Sequence, residues 1–140
     1  MWSSEQLTIA TPGRGPVELT DRVQRWVGGL GRAEGMCQVF VQHTSASLLI
    51  CENADGRVLR DLETWMERAV PDGDAAYTHT AEGPDDMPAH VRSVLTGSSL
   101  LVPVRAGRCA LGTWQGLYLW EHRHAPHRRH VLLSMWGESA

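Results

Sequence analysis

Hydrophobic and polar residues alternate along three stretches in the first half of the chain. Leu7 and Ile9 alternate with polar neighbours, and a turn rich in Gly and Pro follows. Met36–Gln42 places three apolar residues on one face, and Ser45–Cys51 continues the pattern after a short break. Side chains of a strand point alternately to its two faces. These stretches are therefore predicted to be β-strands with one buried face.

Two other stretches repeat their apolar residues at helical spacing. The first begins at Thr20, which we predict to be the N-cap, and ends at Gly31. The second runs from Gly56 to Ala69, and Pro71 ends it. The apolar positions, which we expect in the core, are Val23, Trp26, Val27 and Leu30 in the first helix and Val58, Leu62, Trp65, Met66 and Ala69 in the second.

The last third of the chain contains four strand-like runs in quick succession. A hairpin turn is predicted at Arg105–Arg108, where Gly107 can adopt a positive φ. Strands, then helices, then more strands favour an α+β fold, an antiparallel or mixed β-sandwich flanked by two to three helices. The runs are Ser98–Arg105, Arg108–Gly112, Thr113–Glu121 and His130–Trp136.

Composition narrows the possible classes of protein. The length of 140 residues fits one domain, residues 1–140, and the net charge of −3 with scattered basic residues argues against nucleic-acid binding. No apolar run reaches the roughly 20 residues that span a bilayer. The start of the chain lacks the pattern of a signal peptide. Three cysteines without a C-x-x-C pair indicate reduced thiols, so we expect a cytoplasmic protein.

The basic residues are all arginine, thirteen in total. Schiff-base chemistry, a pyridoxal phosphate anchor and a Walker phosphate loop each require lysine, so they are excluded as mechanisms that the chain could perform alone. Any phosphate group of a substrate must then be bound by arginine, backbone N–H groups or a metal ion.

The segment from His79 to His90 concentrates the residues with the most chemistry. We predict that Asp86 is the N-cap of a short helix through about Leu95, which places His90 one turn inside that helix. His79 lies on the preceding loop, and His43 ends a β-patterned run. Three imidazoles with an open fourth position would form a catalytic zinc-type site. The alternative is ordinary loop chemistry around Gly83–Pro84, with Asp86 acting only as a cap.

Several longer segments resemble those of the YjbQ-like family, whose members are often called secondary thiamine-phosphate synthases. The matching segments follow the family order and cover nearly the whole chain. The family differs at Thr80 and Ala81, where it has a polar or acidic pair, and after Arg123, where it has a glycine-rich turn. The segments are Gln42–Asn53, Arg60–Asp72, His79–His90, Gly97–Val104 and Gly107–Arg123.

The resemblance implies an α+β sandwich, a homotrimer and a transferase reaction. That reaction joins a hydroxymethylpyrimidine diphosphate to a thiazole phosphate and releases pyrophosphate. The resemblance also favours Gln115 and Glu121 as catalytic residues. The other candidates are Glu82 and Asp85, two carboxylates of the loop from His79 to Asp86, which we call the acidic loop. A divalent ion is implied; the three histidines favour Zn²⁺, and a leaving diphosphate favours Mg²⁺.

Two alternatives stay open. A zinc-dependent hydrolase would use the same histidines, with Glu82 or Asp85 as the general base for a small phosphorylated or heterocyclic substrate. A non-enzymatic trimer would bind a metal ion or a small ligand through structural histidines. The six tryptophans and single phenylalanine also suggest apolar surface left over after folding, in keeping with a homotrimer.

Overall fold

Eight strands and three helices follow one another along residues 1–139, which are the residues that the computed structural model describes. The long strands form where hydrophobic and polar residues alternate. No helix in this range is both long and apolar enough to cross a bilayer. The elements are β1 (Trp2–Thr11), β2 (Gly15–Glu18), α1 (Thr20–Gly29), β3 (Arg32–Val41), β4 (Ala46–Glu52), α2 (Gly56–Ala69), α3 (Asp86–Thr96), β5 (Ser99–Arg105), β6 (Arg108–Cys109), β7 (Gln115–Glu121) and β8 (His127–Ser139).

The strands form two antiparallel sheets. The large sheet has the order β1-β8-β3-β5-β6, and the small sheet has the order β2-β7-β4. The turn between β5 and β6 consists of Ala106 and Gly107, with φ of 49° and 76°, as expected for a two-residue hairpin. This arrangement confirms the predicted α+β fold and the predicted hairpin turn.

The main hydrophobic core lies between the two sheets and includes one side of α1. Val39 of β3 and Leu117 and Leu119 of β7 are fully buried there, together with Val23 and Val27 of α1. The alternation in the sequence therefore identified the inner face of the large sheet correctly.

The small sheet is also covered on its outer face. Trp120 packs against Met66 and Val70 at the C-terminal part of α2, and Ser93 of α3 donates a hydrogen bond of 3.3 Å to the carbonyl oxygen of Ala46. As a result, β7 is buried at six consecutive positions, the usual pattern for a strand with both faces covered. These contacts fix α3 against one end of the small sheet.

The predicted N-cap of α1 was wrong, and so were two predicted core positions of α2, because Ala69 is exposed as well as Trp65. Thr20 is not an N-cap, because its hydroxyl donates to Glu18 Oε2 at 2.8 Å and accepts the N–H of Leu117 at 2.9 Å. Trp65 is not a core residue, because 61% of it is exposed. α2 lies on the outside of the small sheet and is buried there along a narrow side that includes Met66, so the wider apolar stripe reaches solvent.

Candidate metal centre

Two histidines and one aspartate meet at the start of α3. Asp86 and His90 are four residues apart, so they share one face of the helix, and His79 reaches the same point from the preceding loop. Asp86 Oδ2 lies 2.8 Å from His79 Nε2 and 3.3 Å from His90 Nε2. The ligand atoms of these three residues all lie within 4.8 Å of one another, a spacing that can hold a metal ion.

Asp86 is the buried member of this group, which we call the metal cluster (His79, Asp86 and His90). Its side chain is 3% exposed, whereas His79 is half exposed. Burial disfavours the charged carboxylate, but the hydrogen bond from His79 and the charge of Arg123 outweigh it, so the pKa of Asp86 lies below its ordinary value. Asp86 is therefore a carboxylate at neutral pH, as metal binding requires.

Arg123, which follows β7 by two residues, holds the acidic loop in place. Its Nη1 donates to Asp86 Oδ1 at 2.8 Å, its Nε donates to Asp85 Oδ2 at 3.1 Å, and its Nη2 donates to the Glu82 carbonyl at 2.9 Å. Because Arg123 occupies Oδ1 of Asp86, the other oxygen faces the two imidazoles. Such outer contacts orient a metal-binding carboxylate.

The two predicted general bases have different surroundings. Asp85 is buried, and its carboxylate accepts hydrogen bonds from Arg123 and from the backbone N–H of His124. Burial opposes its charge, but these two donors lower its pKa. Glu82 has an exposed side chain that lies near Asp86. Asp85 thus supports the loop, and Glu82 is the carboxylate that remains accessible beside the cluster.

His43 lies outside the metal cluster but on the same cleft as His90. The cleft has a volume of about 350 Å³. His43 Nε2 accepts the backbone N–H of His130 at 2.8 Å, and the two rings stack with centroids 5.6 Å apart. Of the three histidines predicted to converge, the structure brings together two, and Asp86 is the third group. The cleft is lined by His43, Thr44, His90, Ser93, Val94, Gly97 and Ser98.

Glu121 and Gln115 occupy opposite ends of β7, about 20 Å apart along the strand. Glu121 is fully buried in an ion pair with Arg129 and accepts the Thr11 hydroxyl at 2.7 Å. Gln115 is exposed, and its side-chain oxygen accepts the N–H of Gly112 at 2.7 Å. Within one chain, therefore, Gln115 does not reach the metal cluster. The buried ion pair of Glu121 indicates a role in stabilising the fold.

The remaining histidines lie outside the metal cluster. His122 is fully buried, and its Nε2 lies 2.8 Å from Ser47 Oγ. Burial and the charge of Arg92 lower the pKa of His122 to about 3, so its ring is neutral. His124 lies 2.8 Å from Asp72 at the surface. His127 and His130 lie at the start of β8, where His127 Nδ1 is 3.7 Å from Glu121 Oε1.

Asp86 is the site residue that the sequence prediction missed. The structure shows it inside α3, where the residue before it holds the cap position without a side-chain hydrogen bond, so the predicted capping role is wrong. A signal was present, because Asp86 and His90 have the i, i+4 spacing that puts two ligands on one helix face. Pro88 is typical of the first turn of a helix, and for this reason the sequence favoured a capping role for Asp86.

Comparison with known proteins gives a consistent result. Residues 5–138 match the family model described as UPF0047 protein YjbQ-like. The chain is 49% identical to a UPF0047 protein of Synechocystis over 134 residues, which cover 96% of this chain and 91% of that protein. The chain belongs to the YjbQ-like family. The sequence-based recognition of this family is thereby confirmed.

Further YjbQ-like relatives support both the family and the fold. The YjbQ protein of Salmonella typhimurium is 43% identical over 139 residues, 99% of this chain and all of that protein. A crystal structure of a hypothetical protein from Aeropyrum pernix superposes with a TM-score of 0.88 at 28% identity, covering 97% of this chain and 99% of that one. A conserved hypothetical protein from Thermus thermophilus gives 0.81 at 33% identity, covering 92% and 97%. These names state no reaction, so the function is argued from the site.

Proposed function

We propose that this YjbQ-like protein is a metal-dependent enzyme whose ion is held by His79, Asp86 and His90. The observation that carries the proposal is the convergence of two imidazole nitrogens and one buried carboxylate oxygen within 4.8 Å. Two histidines and one carboxylate form a set of three protein ligands that leaves a position open for water or substrate, as in catalytic zinc sites. Imidazole ligands favour Zn²⁺ over Mg²⁺.

Glu82 is the proposed general base. Its side chain is exposed and lies near Asp86, whereas the carboxylate of Asp85 is held by Arg123 and His124. A bound Zn²⁺ would supply Lewis-acid polarisation and a lowered pKa of water. A base beside it would take the proton from that water.

Hydrolysis of a small substrate is the reaction that the cleft favours. A volume of about 350 Å³ suits a small molecule, and the lining combines Val94 with the hydroxyl groups of Thr44, Ser93 and Ser98. The residues that line the cleft, all within the described range, include no arginine. The proposed substrate class is therefore a small compound, heterocyclic or phosphorylated, whose hydrolysable ester or phosphoester would contact the ion and which carries little charge elsewhere.

Thiamine-phosphate synthesis, which the family resemblance implies, stays a prediction. Its two substrates together carry three phosphate groups, and such groups are usually bound by arginine or by backbone N–H groups. Arg123 is the arginine beside the metal cluster, and its donors already bind Asp85, Asp86 and the Glu82 carbonyl. An assay that measures pyrophosphate release from the pyrimidine diphosphate and thiazole phosphate tests this reaction directly.

Zinc analysis of the purified protein tests the proposal. We expect one Zn²⁺ per wild-type chain and loss of that Zn²⁺ in His90→Ala, with the fold retained by circular dichroism. His124→Ala is the matched control, because His124 also contacts an aspartate but is exposed and lies outside the metal cluster. A wild-type protein that binds no divalent ion, or a His90→Ala variant that keeps it, would contradict the proposal.

Glu82→Gln separates the base from the ligands. We expect zinc binding to be unchanged and the rate of hydrolysis of activated test esters and phosphoesters to fall by roughly 100-fold, as for the loss of a general base. Asp85→Asn should instead weaken zinc binding, since Asp85 anchors Arg123. Equal zinc affinity and equal rates in wild type and Glu82→Gln would remove Glu82 from the mechanism.

We also propose that the chain assembles as a homotrimer through the outer face of the large sheet. Trp2 pairs directly with Trp136, which pairs with Met36, so three apolar side chains form one exposed row across three strands. Phe40 and Leu101 extend the same face and are exposed. Contiguous apolar patches of this kind mark interfaces. Light scattering should give three times the 15.5 kDa chain mass, and a monomer mass would contradict it.

A trimer would also affect the expected role of Gln115. Trp114 is 62% exposed, so the turn that carries Gln115 is free to contact a neighbouring copy, and a role for Gln115 in the neighbour's site stays a prediction.

A cytoplasmic location is part of the proposal. It is supported by the three free thiols of Cys37, Cys51 and Cys109, since disulfides form mainly in oxidising compartments.

A further inference from the structure

His43 is held in one orientation by a backbone hydrogen bond. Its Nε2 accepts the N–H of His130 at 2.8 Å. A backbone amide only donates through its N–H, so Nε2 must carry a lone pair and cannot carry a proton. The proton of the neutral ring is then on Nδ1. The hydrogen bond thus selects the tautomer.

This hydrogen bond replaces a missing bond of the β3–β8 ladder. The ladder pairs Val41 with Val131, and next to it the N–H of Gln42 donates to the carbonyl oxygen of His130 at 3.0 Å. In a regular antiparallel pair, the N–H of His130 would donate back to the carbonyl of Gln42. Here the imidazole of His43 is the acceptor instead. The ring is therefore built into the end of the sheet and does not turn freely.

The other ring nitrogen is accessible. His43 lines the cleft that His90 also lines. Among residues 1–139, Nδ1 has no hydrogen-bond partner, and it is not one of the buried polar atoms that lack one. The accessible nitrogen of His43 is thus an N–H donor, whereas a metal ligand needs a lone pair.

The charges around His43 favour the neutral ring. The groups that face it are Arg129, His130, His127 and Glu121. Burial lowers the pKa of His43, Arg129 and the two histidines lower it further, and Glu121 opposes them. This direction agrees with the tautomer that the hydrogen bond selects, since both require an uncharged imidazole.

We propose that His43 is not a metal ligand but a fixed, neutral hydrogen-bond donor that binds an oxygen of the substrate through Nδ1–H. The role at the substrate rests on the proposed function, whereas the tautomer does not. An ion in the metal cluster and this donor would act on one small substrate with a carbonyl or phosphoryl oxygen. Donors placed where negative charge develops stabilise it in this way.

Nitrogen-15 NMR of the histidine rings tests the tautomer, with His43→Asn identifying the resonances. We expect a protonated Nδ1 and an unprotonated Nε2 for His43, in metal-free protein and after one equivalent of Zn²⁺. The ring nitrogens of His79 and His90 should change when Zn²⁺ is added. A protonated Nε2, or a zinc-dependent change of His43 Nδ1 as large as those two, would overturn the proposal.

Binding of inorganic phosphate to the zinc-loaded protein tests the donor role. His43→Asn retains an amide donor near the position of Nδ1, and His43→Ala has none. We expect all three proteins to bind Zn²⁺ equally. Phosphate affinity should fall roughly tenfold in His43→Ala, as for one hydrogen bond, and should be largely kept in His43→Asn.

The experiments distinguish failure of the zinc site from failure of the donor role of His43. Equal phosphate affinity in wild type and His43→Ala would overturn the donor role of His43 while the zinc site stands. A wild-type protein that binds no Zn²⁺ would overturn the proposed function, and with it the role at the substrate. The NMR measurement on metal-free protein would then still decide the tautomer.

Discussion

Two buried carboxylates in this fold each pair with an arginine, but they differ in how many donors surround them. Glu121 accepts from Arg129, from the Thr11 hydroxyl and from the backbone N–H groups of His122 and Arg123. Each carboxylate oxygen of Glu121 therefore accepts at least two hydrogen bonds from these donors. Asp86 accepts from Arg123 at Oδ1, and its Oδ2 lies 2.8 Å from His79 Nε2 and 3.3 Å from His90 Nε2.

This difference separates a structural carboxylate from a metal ligand. Burial and charge do not distinguish them, because Glu121 and Asp86 are both nearly inaccessible and both have a pKa below the ordinary value. An ion can replace the imidazole contacts of Asp86, since histidine nitrogens can bind it too. No ion can replace the backbone donors of Glu121. The number of fixed donors is therefore the property to compare.

The largest expected effect is on folding stability at Glu121. Glu121→Gln leaves the buried guanidinium of Arg129 without its anion, which should cost about 3–5 kcal/mol. Asp86→Asn should cost clearly less, because Arg123 keeps the carboxylate of Asp85 as its anion. Urea unfolding of both metal-free variants checks this difference. Equal losses of unfolding free energy would show that the two carboxylates have the same structural role.

The next effect concerns the two arginines. Arg123→Lys removes the planar group that orients Asp86, Asp85 and the Glu82 carbonyl, so zinc affinity should fall by about 10–100-fold. Arg129→Lys should destabilise the fold and leave zinc affinity within about twofold, because Arg129 donates to Glu121 and Ser45 and to no residue of the metal cluster. Zinc competition with a chromogenic chelator measures both. A larger loss of zinc affinity in Arg129→Lys would reverse the assignment.

A smaller effect is expected in the pH dependence of folding stability, and it arises at His122, the residue after Glu121. The pKa of His122 is about 3 in the folded protein and about 6.5 when unfolded. The unfolded chain therefore binds more protons between these values, and stability falls as the pH drops below 6.5, by up to about 1.4 kcal/mol per unit. His122→Gln should flatten this slope between pH 7 and 5 in metal-free protein. The remaining slope belongs partly to His43, whose pKa burial also lowers.

If the unfolding free energy of His122→Gln changes with pH as steeply as that of the wild type, the protons taken up on unfolding are bound by groups other than His122. The carboxylates do not interfere with this measurement. Glu121 and Asp86 both have a lowered pKa, so the stability that they contribute is present above their unfolded pKa of about 4 and is lost only below it.

Much of the fold could be predicted from the sequence, because periodicity reports which residues share a face. The bounds of α2 and the inner face of β3 follow directly from it. Periodicity does not report whether a neighbour covers that face, and Trp65 was placed in the core for this reason. The helix of His90 was predicted with nearly correct ends, since Asp and Pro mark its start.

The site could be predicted only in part. His79 and His90 stand out by their residue type and acidic neighbours, and the structure brings them together. The role of Asp86 depends on which of its oxygens Arg123 occupies, and Arg123 is 37 residues away in the sequence. The tautomer of His43 depends on a backbone N–H on another strand. Contacts between distant segments carry no local signal, so the tautomer of His43 could not be predicted, and the spacing of Asp86 and His90 was the one local signal for the role of Asp86.

Zinc titration of two matched aspartate variants tests the central claim most directly. Asp72 also pairs with an arginine and a histidine, Arg14 and His124, but it lies outside the metal cluster. We expect Asp72→Asn to bind one Zn²⁺ per chain with wild-type affinity, and Asp86→Asn to bind it at least about 100-fold more weakly, beyond the loss expected for an outer contact. Wild-type affinity in Asp86→Asn, or an equal loss in Asp72→Asn, would contradict the proposed metal centre.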